Sequence, residues 1–426
     1  MVEGLSRRRF GAVGAGALGA LAVGAAEAGA FGSAAGGSLG AGAPVGLPRR
    51  RLVQMRGSWI ATVVNTDWPL SVELPARAQR RALLARLDEA VRRNLNTVVL
   101  QVRPAADAFF PSPYEPWSEW LTGVQGRDPG WDPLGFAVRE AHARGMRLHA
   151  WFNPYRIRRD ERIEMLADRH PARLHPDWVV RYNGGLYYNP GVPQVRSHIQ
   201  DCVLHVVRSY DVDAVHFDDY FYPYPVAGQV FDDGPEYRAY GGGFAGRAAW
   251  RRSNIDALIR ETGERIRAVK PQVAFGVSPF GVWRNAASDP ARGSATSAGV
   301  QTYDDLYADT RKWVKKGWID YVCPQLYWHL GMAAADYGEL VRWWSDVVAG
   351  TGVGLYIGEA LYKVGASGQP AVWGDPAELS RHLAFCRDYP QVGGHVFFSA
   401  KLLPQDPLGA VSRLVADHYR RPAAAP

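Results

Sequence analysis

Two adjacent carboxylates, Asp218 and Asp219, are the residues whose types and spacing best fit catalysis. They follow a short apolar run, residues 214–217, and precede an aromatic loop that begins at Tyr220. Strand side chains alternate between two faces, so Asp218 is expected opposite Phe217, and Asp219 is the first residue to leave the strand. An acid pair among aromatic rings suits a sugar site, in which one carboxyl donates a proton and the other stabilises positive charge. The structural alternative is that Asp218 caps the next element and Asp219 is solvated.

The elements that position this pair follow a regular alternation. From residue 52 onward, eight short apolar runs alternate with eight longer amphipathic segments. The predicted strands are residues 55–64, 97–102, 147–152, 214–217, 273–277, 319–324, 353–357 and 394–398. This alternation indicates βα units and a parallel sheet. Eight repeats predict an α/β fold, a single (β/α)8 TIM barrel with long βα loops, over residues 52–422. A doubly wound sheet is the alternative, but no GxGxxG follows the first strand.

The active site of such a barrel lies at the C-terminal ends of its strands. Polar and aromatic residues that follow the predicted strands are therefore candidates for sugar binding. They are Arg103, Asp107, Trp151, Asn153, Tyr155, Arg156, Tyr220, Trp283, Gln325, Tyr327, Trp328 and Glu359. Rings suit the faces of sugars, and amides suit hydroxyl and acetamido groups. Core packing is the alternative for each ring, and an ion pair that orients Asp107 or Asp218 is the alternative for Arg103 and Arg156.

Composition narrows the class of partner. The 15 Trp and 20 Tyr residues favour a carbohydrate ligand, and the net charge of +7 favours an acidic polymer. No dense Lys/Arg block follows residue 51, which argues against nucleic acid. His149 and His216 point inward by strand alternation, but neither lies in an HxH or HExxH spacing. The sequence therefore predicts no metal and no other cofactor.

The N-terminus has the features of an export signal. Residues 6–10, SRRRF, precede an Ala/Gly-rich run over residues 11–26. This pattern resembles a twin-arginine signal, predicted over residues 1–28, and a Gly/Ala-rich linker is predicted over residues 29–51. The many glycines argue against a permanent membrane anchor. We expect an extracytoplasmic protein that is secreted, periplasmic or associated with the cell wall, with buried thiols at its three scattered cysteines.

Several longer motifs resemble the bacterial glycosyl-hydrolase-like 10 family. They are RGSW (56–59), NTDWP (65–69), GMRLHAWFNPYR (145–156), HFDDYFYP (216–223), FGVSPFGVWRN (275–285) and DYVCPQLYW (320–328). The resemblance implies a TIM-barrel glycoside hydrolase that acts on N-acetylglucosamine/N-acetylmuramic acid strands of peptidoglycan, with peptide-free strands as the expected substrate. It also makes the lactyl carboxylate of muramic acid a possible partner for Arg103 and Arg156.

The spacing of the two acids bears on mechanism. In a standard double displacement the two carboxyls lie roughly 5 Å apart and flank the bond from opposite sides, which neighbours on one strand end do not easily do. The pair is similar to that of enzymes that remove O-linked N-acetylglucosamine with help from the 2-acetamido group of the substrate. We expect Asp218 to polarise the acetamide and Asp219 to act as general acid and base. The rival mechanism takes its second acid from Glu359, Asp107 or Glu119.

Two other functions remain open at this level. One is a carbohydrate-binding barrel without catalysis, because fold alone does not prove function. The other is a hydrolase of a different N-acetylated or uronic polysaccharide.

Overall fold

Residues 52–426 are described by the structure, a computed structural model. The predicted export signal and linker lie outside the described residues. Leu52–Pro426 form one compact unit. Within this unit, no helix combines the length and the apolar character needed to span a membrane.

Eleven strands are present in the described part of the chain. They are β1 (Met55–Ile60), β2 (Thr97–Arg103), β3 (Arg147–Phe152), β4 (Arg156–Arg158), β5 (Val179–Tyr182), β6 (Gly185–Tyr188), β7 (Ala214–Phe217), β8 (Ala274–Val277), β9 (Tyr321–Val322), β10 (Gly354–Glu359) and β11 (Val392–Phe397). Eight of them pair in parallel in the order β1-β2-β3-β7-β8-β9-β10-β11, and β11 closes onto β1. The predicted (β/α)8 barrel is therefore confirmed.

Helices connect successive barrel strands. They are α1 (Ala76–Arg92), α2 (Glu119–Thr122), α3 (Pro133–Ala143), α4 (Pro171–Leu174), α5 (Pro193–Ser209), α6 (Gly234–Tyr240), α7 (Arg247–Val269), α8 (Thr302–Asp305), α9 (Thr310–Lys315), α10 (Tyr337–Val348), α11 (Glu378–Cys386) and α12 (Ala410–His418). The segment between β8 and β9 forms two separate helices, α8 and α9, because Tyr307 adopts a positive φ and Asp309 caps α9. The loop between β3 and α5 is long and carries the small antiparallel sheet β4-β6-β5.

Alternation along the strands separates two apolar layers. One layer fills the barrel and contains Trp59, Trp151 and Tyr321. The larger layer lies between the barrel and the helices and contains Val215 and Phe217. Phe217 therefore faces the helices, and Asp218 lies on the opposite face of the strand, as predicted, where it meets Trp151 of the inner layer.

β1 ends four residues earlier than predicted because side chains capture its next backbone groups. The Ala61 N–H donates to Asp67 Oδ2 (2.8 Å), and the Thr62 N–H donates to Gln101 Oε1 (3.0 Å). These bonds replace strand pairing and turn the chain outward. Asp67 also accepts a hydrogen bond from the Ser399 hydroxyl (2.6 Å), which joins the ends of β1 and β11.

Gly276 gives a direct test of packing inside the barrel. A Cβ atom at this position of β8 would lie 2.0 Å from Cζ of Tyr321. We expect Gly276→Ala to lower the free energy of unfolding by about 1–3 kcal/mol, because overpacking forces the ring to move. Denaturant unfolding of this variant measures the effect. Gly299→Ala is the control, because its Cβ meets nothing within 4 Å. Equal stabilities of the two variants would contradict the packing.

Candidate active site

The acid pair lies where β7 ends, and both side chains are almost completely buried, 3% exposed for Asp218 and 2% for Asp219. β7 pairs with β3 so that His216 lies beside Trp151. The Trp151 indole N–H donates to Asp218 Oδ2 (3.2 Å), and the Tyr220 backbone N–H donates to Asp218 Oδ1 (3.1 Å). The structure thus brings the predicted residues Trp151 and Tyr220 into contact with the predicted catalytic pair.

The environment changes the acidity of the pair. Burial, and then repulsion from the charge of Asp219, raise the pKa of Asp218 to about 7. The guanidinium of Arg156 and the two N–H donors act in the opposite direction. At neutral pH a substantial fraction of the Asp218 carboxyl groups is therefore protonated, which gives the site a proton donor.

Asp219 has a different partner. The Tyr224 hydroxyl donates a hydrogen bond to Asp219 Oδ2. The Tyr224 ring packs edge-on against Tyr220 at 5.8 Å, and the Arg156 guanidinium lies 4.1 Å above the Tyr220 ring. Arg156 is therefore next to the pair, as predicted. Tyr224 is a site residue that strand periodicity does not identify, because it lies in an irregular loop.

Aromatic rings continue from the pair towards the end of β9. The Tyr224 and Phe280 rings pack edge-on with their centroids 6.2 Å apart, and the Phe280 and Trp328 rings do so at 5.3 Å. Gln325 joins neighbouring strand ends, since its side-chain amide donates to the Ser278 carbonyl (2.9 Å). Two predicted residues, Gln325 and Trp328, thus lie on a continuous wall with the acid pair.

A second aromatic group lies at the ends of β1, β9 and β11. The Phe398 ring lies 6.2 Å from Trp59 and 6.4 Å from Tyr327. The Trp59 indole N–H donates to His216 Nε2 (3.3 Å), which places this group over the barrel interior next to β7. Tyr327 was predicted. Trp59 and Phe398 were missed as site residues, although Trp59 belongs to the first motif of the resemblance.

Arg103 does not reach the pair. Its side chain is fully buried and its Nε donates to Glu115 Oε2 (2.7 Å), while Nη1 donates to the carbonyls of Asn153 and Pro154. Neither predicted role, sugar binding or orientation of Asp107 or Asp218, agrees with these contacts. Arg103 instead fixes the start of the loop after β3. The predicted residue Asn153 has a related role, because its Oδ1 accepts the backbone N–H of Arg156 (3.3 Å).

Glu359 does not point into the cleft, contrary to the prediction. β10 extends two residues beyond the predicted strand, so the alternation of side chains continues to Glu359 and turns it towards the helices. Its carboxylate accepts hydrogen bonds from Tyr337 (2.6 Å), His382 (2.9 Å) and His395 (3.0 Å). Burial acts to raise the pKa of Glu359, but the two histidines outweigh it and lower the pKa to about 2. Glu359 is a buried, ionised structural group and not the second acid of the rival mechanism.

Three further predicted residues lie away from the pair. Asp107 interacts with Ser118 and Gln125 in the loop after β2, and burial raises its pKa to about 7. The Tyr155 ring is buried, and the charges that act on its hydroxyl, those of Arg196 and Glu261, belong to α5 and α7. Trp283 donates to Asp309 (2.9 Å) and stacks on Trp343 of α10. The structure brings none of the three into contact with Asp218 or Asp219.

Histidines inside the barrel form a hydrogen-bonded group. Nδ1 of His216 and Nδ1 of His149 each lie 2.9 Å from the Tyr321 hydroxyl. Burial lowers the pKa of His149 to about 4 and that of His216 well below its ordinary value, so both rings are neutral. These contacts account for both inward histidines as core groups.

The only described group with metal-like spacing is Glu115, His198 and Cys202, whose ligand atoms lie within 4.8 Å of one another. Arg103 already pairs with both Glu115 oxygens, at 2.7 and 2.5 Å. A cation would have to compete with this guanidinium, so the arrangement does not favour a metal.

The barrel and its buried acid pair at the strand ends define the class, a TIM-barrel protein of the glycoside hydrolase type. The chain belongs to the glycosyl hydrolase-like 10 family, which it matches over residues 54–375. It is 49% identical to "Glycosyl hydrolase YngK" of Bacillus subtilis, over 88% of this chain and 73% of that protein. It is 43% identical to "Glycosyl hydrolase DigH" of Escherichia coli K12, over 81% and 82%. The predicted family and the predicted enzyme class are confirmed.

Two solved structures show the same fold. The glycoside hydrolase domain of PgaB (BpsB) from Bordetella bronchiseptica superimposes with a TM-score of 0.56 at 14% identity, covering 86% of this chain and 99% of that one. The endo-1,4-beta-mannanase of Rhizomucor miehei gives 0.52 at 10% identity, covering 87% and 97%. At these identities the likeness concerns the fold alone.

The raised pKa of Asp218 predicts how stability depends on pH. An unfolded Asp ionises near pH 3.9, whereas Asp218 in the folded protein ionises near pH 7. Between these values the folded state binds more protons than the unfolded state, so the free energy of unfolding falls as pH rises. Asp218→Asn removes the ionisable group, so the free energy of unfolding of the variant does not undergo this fall. We expect the variant to gain about 2 kcal/mol or more relative to the wild type from about pH 4 to about pH 8.

Denaturant unfolding at several pH values measures this difference. Asp211→Asn is the matched control, because Asp211 lies just before the same strand with 87% of its side chain exposed. The control should follow the wild type at every pH. A constant difference between Asp218→Asn and the wild type would mean that Asp218 has an ordinary pKa.

Proposed function

We propose that the protein hydrolyses the N-acetylglucosamine/N-acetylmuramic acid strands of peptidoglycan, and that peptide-free strands are its substrate. The observation that carries this proposal is the buried pair of Asp218 and Asp219, enclosed by aromatic rings at the end of β7. The glycosyl hydrolase names of the relatives support the reaction. The motif resemblance supports the substrate.

The proposed location follows from the N-terminal sequence. A twin-arginine signal over residues 1–28 would export the folded barrel, and a Gly/Ala-rich linker would follow it. The protein would then meet its polysaccharide partner outside the cytoplasm. Nucleic acid and a stably inserted membrane segment have no part in this proposal.

The proposed chemistry uses the 2-acetamido group of the substrate. Its carbonyl oxygen attacks the anomeric carbon as the glycosidic C–O bond breaks, and Asp219 gives its proton to the leaving oxygen. The product of this step is a cyclic oxazolinium. Water then attacks the anomeric carbon, returns a proton to Asp219 and opens the ring. Asp218 accepts the acetamide N–H and so increases the nucleophilicity of the carbonyl oxygen.

Substrate binding would also move the proton of Asp218. In the free protein Asp218 holds this proton up to about pH 7, because burial and repulsion raise its pKa. An acetamide N–H that donates to Asp218 favours the carboxylate form of that residue. The proton that leaves Asp218 is then the one that Asp219 gives to the leaving oxygen. Asp219 would thus receive its proton only when an N-acetylated sugar occupies the site.

Single substitutions of the pair test the catalytic assignment. We expect Asp218→Asn and Asp219→Asn each to lower kcat by about 100-fold or more on peptide-free glycan strands, because each removes a group that acts in the transition state. Mass spectrometry of reducing-end fragments measures the reaction, with intact peptidoglycan and chitin oligomers in parallel. Asp211→Asn should retain wild-type turnover.

The same assay separates the competing functions. Near-normal turnover by both Asn variants would eliminate the proposed catalytic pair. Binding of glycan strands without fragments from any substrate would indicate a carbohydrate-binding barrel. Fragments from chitin or another N-acetylated polysaccharide alone would reassign the substrate.

A further inference from the structure

A concave pocket of about 340 Å³ lies outside the catalytic cleft. Its walls come from the loop after β2, the long loop between β3 and α5, and α5 itself. The lining residues are Pro113, Tyr114, Arg169, Pro171, Leu174, His175, Trp178 and His198. None of these residues belongs to the aromatic walls around Asp218 and Asp219. The volume is within the range of small-ligand sites, about 300–1,000 Å³.

Aromatic rings form the pocket walls, and neighbouring rings pack against them on the side away from the pocket. The His175 imidazole stacks on the Trp178 indole at 4.3 Å with an interplanar angle of 14°. The Trp178 ring packs against the fully buried Tyr188 at 6.3 Å. The Tyr114 ring meets His198 edge-on at 6.4 Å. Trp178 and Tyr114 are half-buried, so each ring is fixed on one side and open on the other.

Hydrogen bonds fix the backbone that carries these rings. The Ser112 hydroxyl accepts the backbone N–H groups of Tyr114 and Glu115, both at 3.2 Å. His205 of α5 bonds to the Pro111 carbonyl at 2.9 Å. The loop after β2 is therefore tied to α5.

The pocket floor offers a defined polar group. Burial acts to raise the pKa of Glu115, but Arg103 and His198 outweigh it and hold the pKa below its ordinary value. Glu115 is thus a carboxylate, and it accepts the N–H of His198 Nε2 (3.0 Å). In the neutral ring this leaves Nδ1 of His198 as an acceptor. Within residues 52–426 this nitrogen has no hydrogen-bond partner, so it is available to a ligand hydroxyl.

The rim carries positive charge. Arg169 is exposed at the pocket edge and can form a bidentate pair with a carboxylate. A sugar ring presents an apolar face to an indole and hydroxyl groups at its edge. An N-acetylmuramic acid residue adds a carboxylate on the lactyl group. The pocket offers a partner for each of these groups. The rings of Trp178 and Tyr114 suit the apolar face, Nδ1 of His198 suits a hydroxyl group, and the Arg169 guanidinium suits the carboxylate.

We propose that this pocket is a second carbohydrate site, which binds a muramic-acid-type sugar of a glycan strand away from the bond that is cleaved. The identity of the ligand rests on the proposed function. The loop between β3 and α5 connects the two sites, because it supplies Arg156 to the cleft and Trp178 to the pocket. A strand held in the pocket stays near the cleft, which raises the effective concentration of cleavable bonds.

Kinetics on substrates of two lengths test the proposal. Trp178→Ala should raise KM for long peptide-free strands roughly tenfold, because truncation of an aromatic anchor costs at least this much at a well-packed site. Its kcat should be unchanged, and hydrolysis of an oligosaccharide too short to occupy the cleft and the pocket at once should stay at the wild-type rate. Tyr114→Ala and Arg169→Ala provide independent variants, and thermal unfolding confirms that each is folded.

Tyr389→Ala is the matched aromatic control, because Tyr389 is half-buried beyond the C-terminal end of α11, on the opposite side of the barrel. It should retain the wild-type KM. Direct binding of a peptide-free N-acetylglucosaminyl-N-acetylmuramic acid disaccharide, followed by NMR, gives a readout that does not require catalysis. Disaccharide-induced shifts of the Trp178 indole signal should be lost in Arg169→Ala and Tyr114→Ala.

The outcomes distinguish this inference from the proposed function. If the wild type cleaves no glycan but binds the disaccharide through Tyr114 and Arg169, the pocket inference stands and the proposed function fails. If the wild type cleaves strands while all three pocket variants retain its KM, and Arg169→Ala and Tyr114→Ala retain the disaccharide-induced shifts of the Trp178 indole signal, the pocket inference is overturned and the proposed function stands.

Discussion

The rest of the structure depends on one constraint. Two carboxyl groups lie side by side and are almost completely shielded from solvent. Because Asp218 and Asp219 are consecutive, they cannot separate to relieve their repulsion. Burial makes that repulsion stronger, and the two effects together raise the pKa of Asp218. Donors from Trp151, Tyr220 and Tyr224 stabilise the remaining charge. Such an arrangement lowers the free energy of unfolding. Groups with strongly shifted pKa values are concentrated at functional sites, and the pair fits that pattern.

A chain of contacts connects this pair to the outer layer of the barrel. The buried ion pair of Arg103 and Glu115 fixes the first residues after β3. Asn153 then holds the backbone of Arg156, whose guanidinium lies over Tyr220, the residue whose N–H bonds to Asp218. These contacts keep the loop after β3 in the arrangement that places the Arg156 guanidinium near the acids.

The strands and the pair could be predicted from the sequence because both depend on local periodicity. The bounds of β3 and β7 agree with the prediction, and so does the inward direction of Asp218. Periodicity failed where strands ran longer than their apolar core. Glu359 ends β10 and faces the helices, and Arg103 ends β2 after a register shift that follows Gln101.

Side chains in irregular loops were the other source of error. No repeat determines the direction of Tyr155 or Trp283, and tertiary packing turned both rings into the helical layer. The same irregularity concealed Tyr224, although it lies only five residues beyond Asp219. The alternative for Arg103 was an ion pair with Asp107 or Asp218, which is wrong, because the actual partner, Glu115, could not be identified without the path of the loop.

The stereochemistry of the first product tests the central claim most directly. If the acetamide oxygen attacks the anomeric carbon before water does, two inversions occur and the product keeps the configuration of the substrate. Proton NMR of the newly formed reducing end, recorded before mutarotation, distinguishes the anomers. The account predicts retention, with the β-anomer appearing first from β-linked strands. Initial release of the α-anomer would show a single displacement by water and would contradict the proposed role of the acid pair.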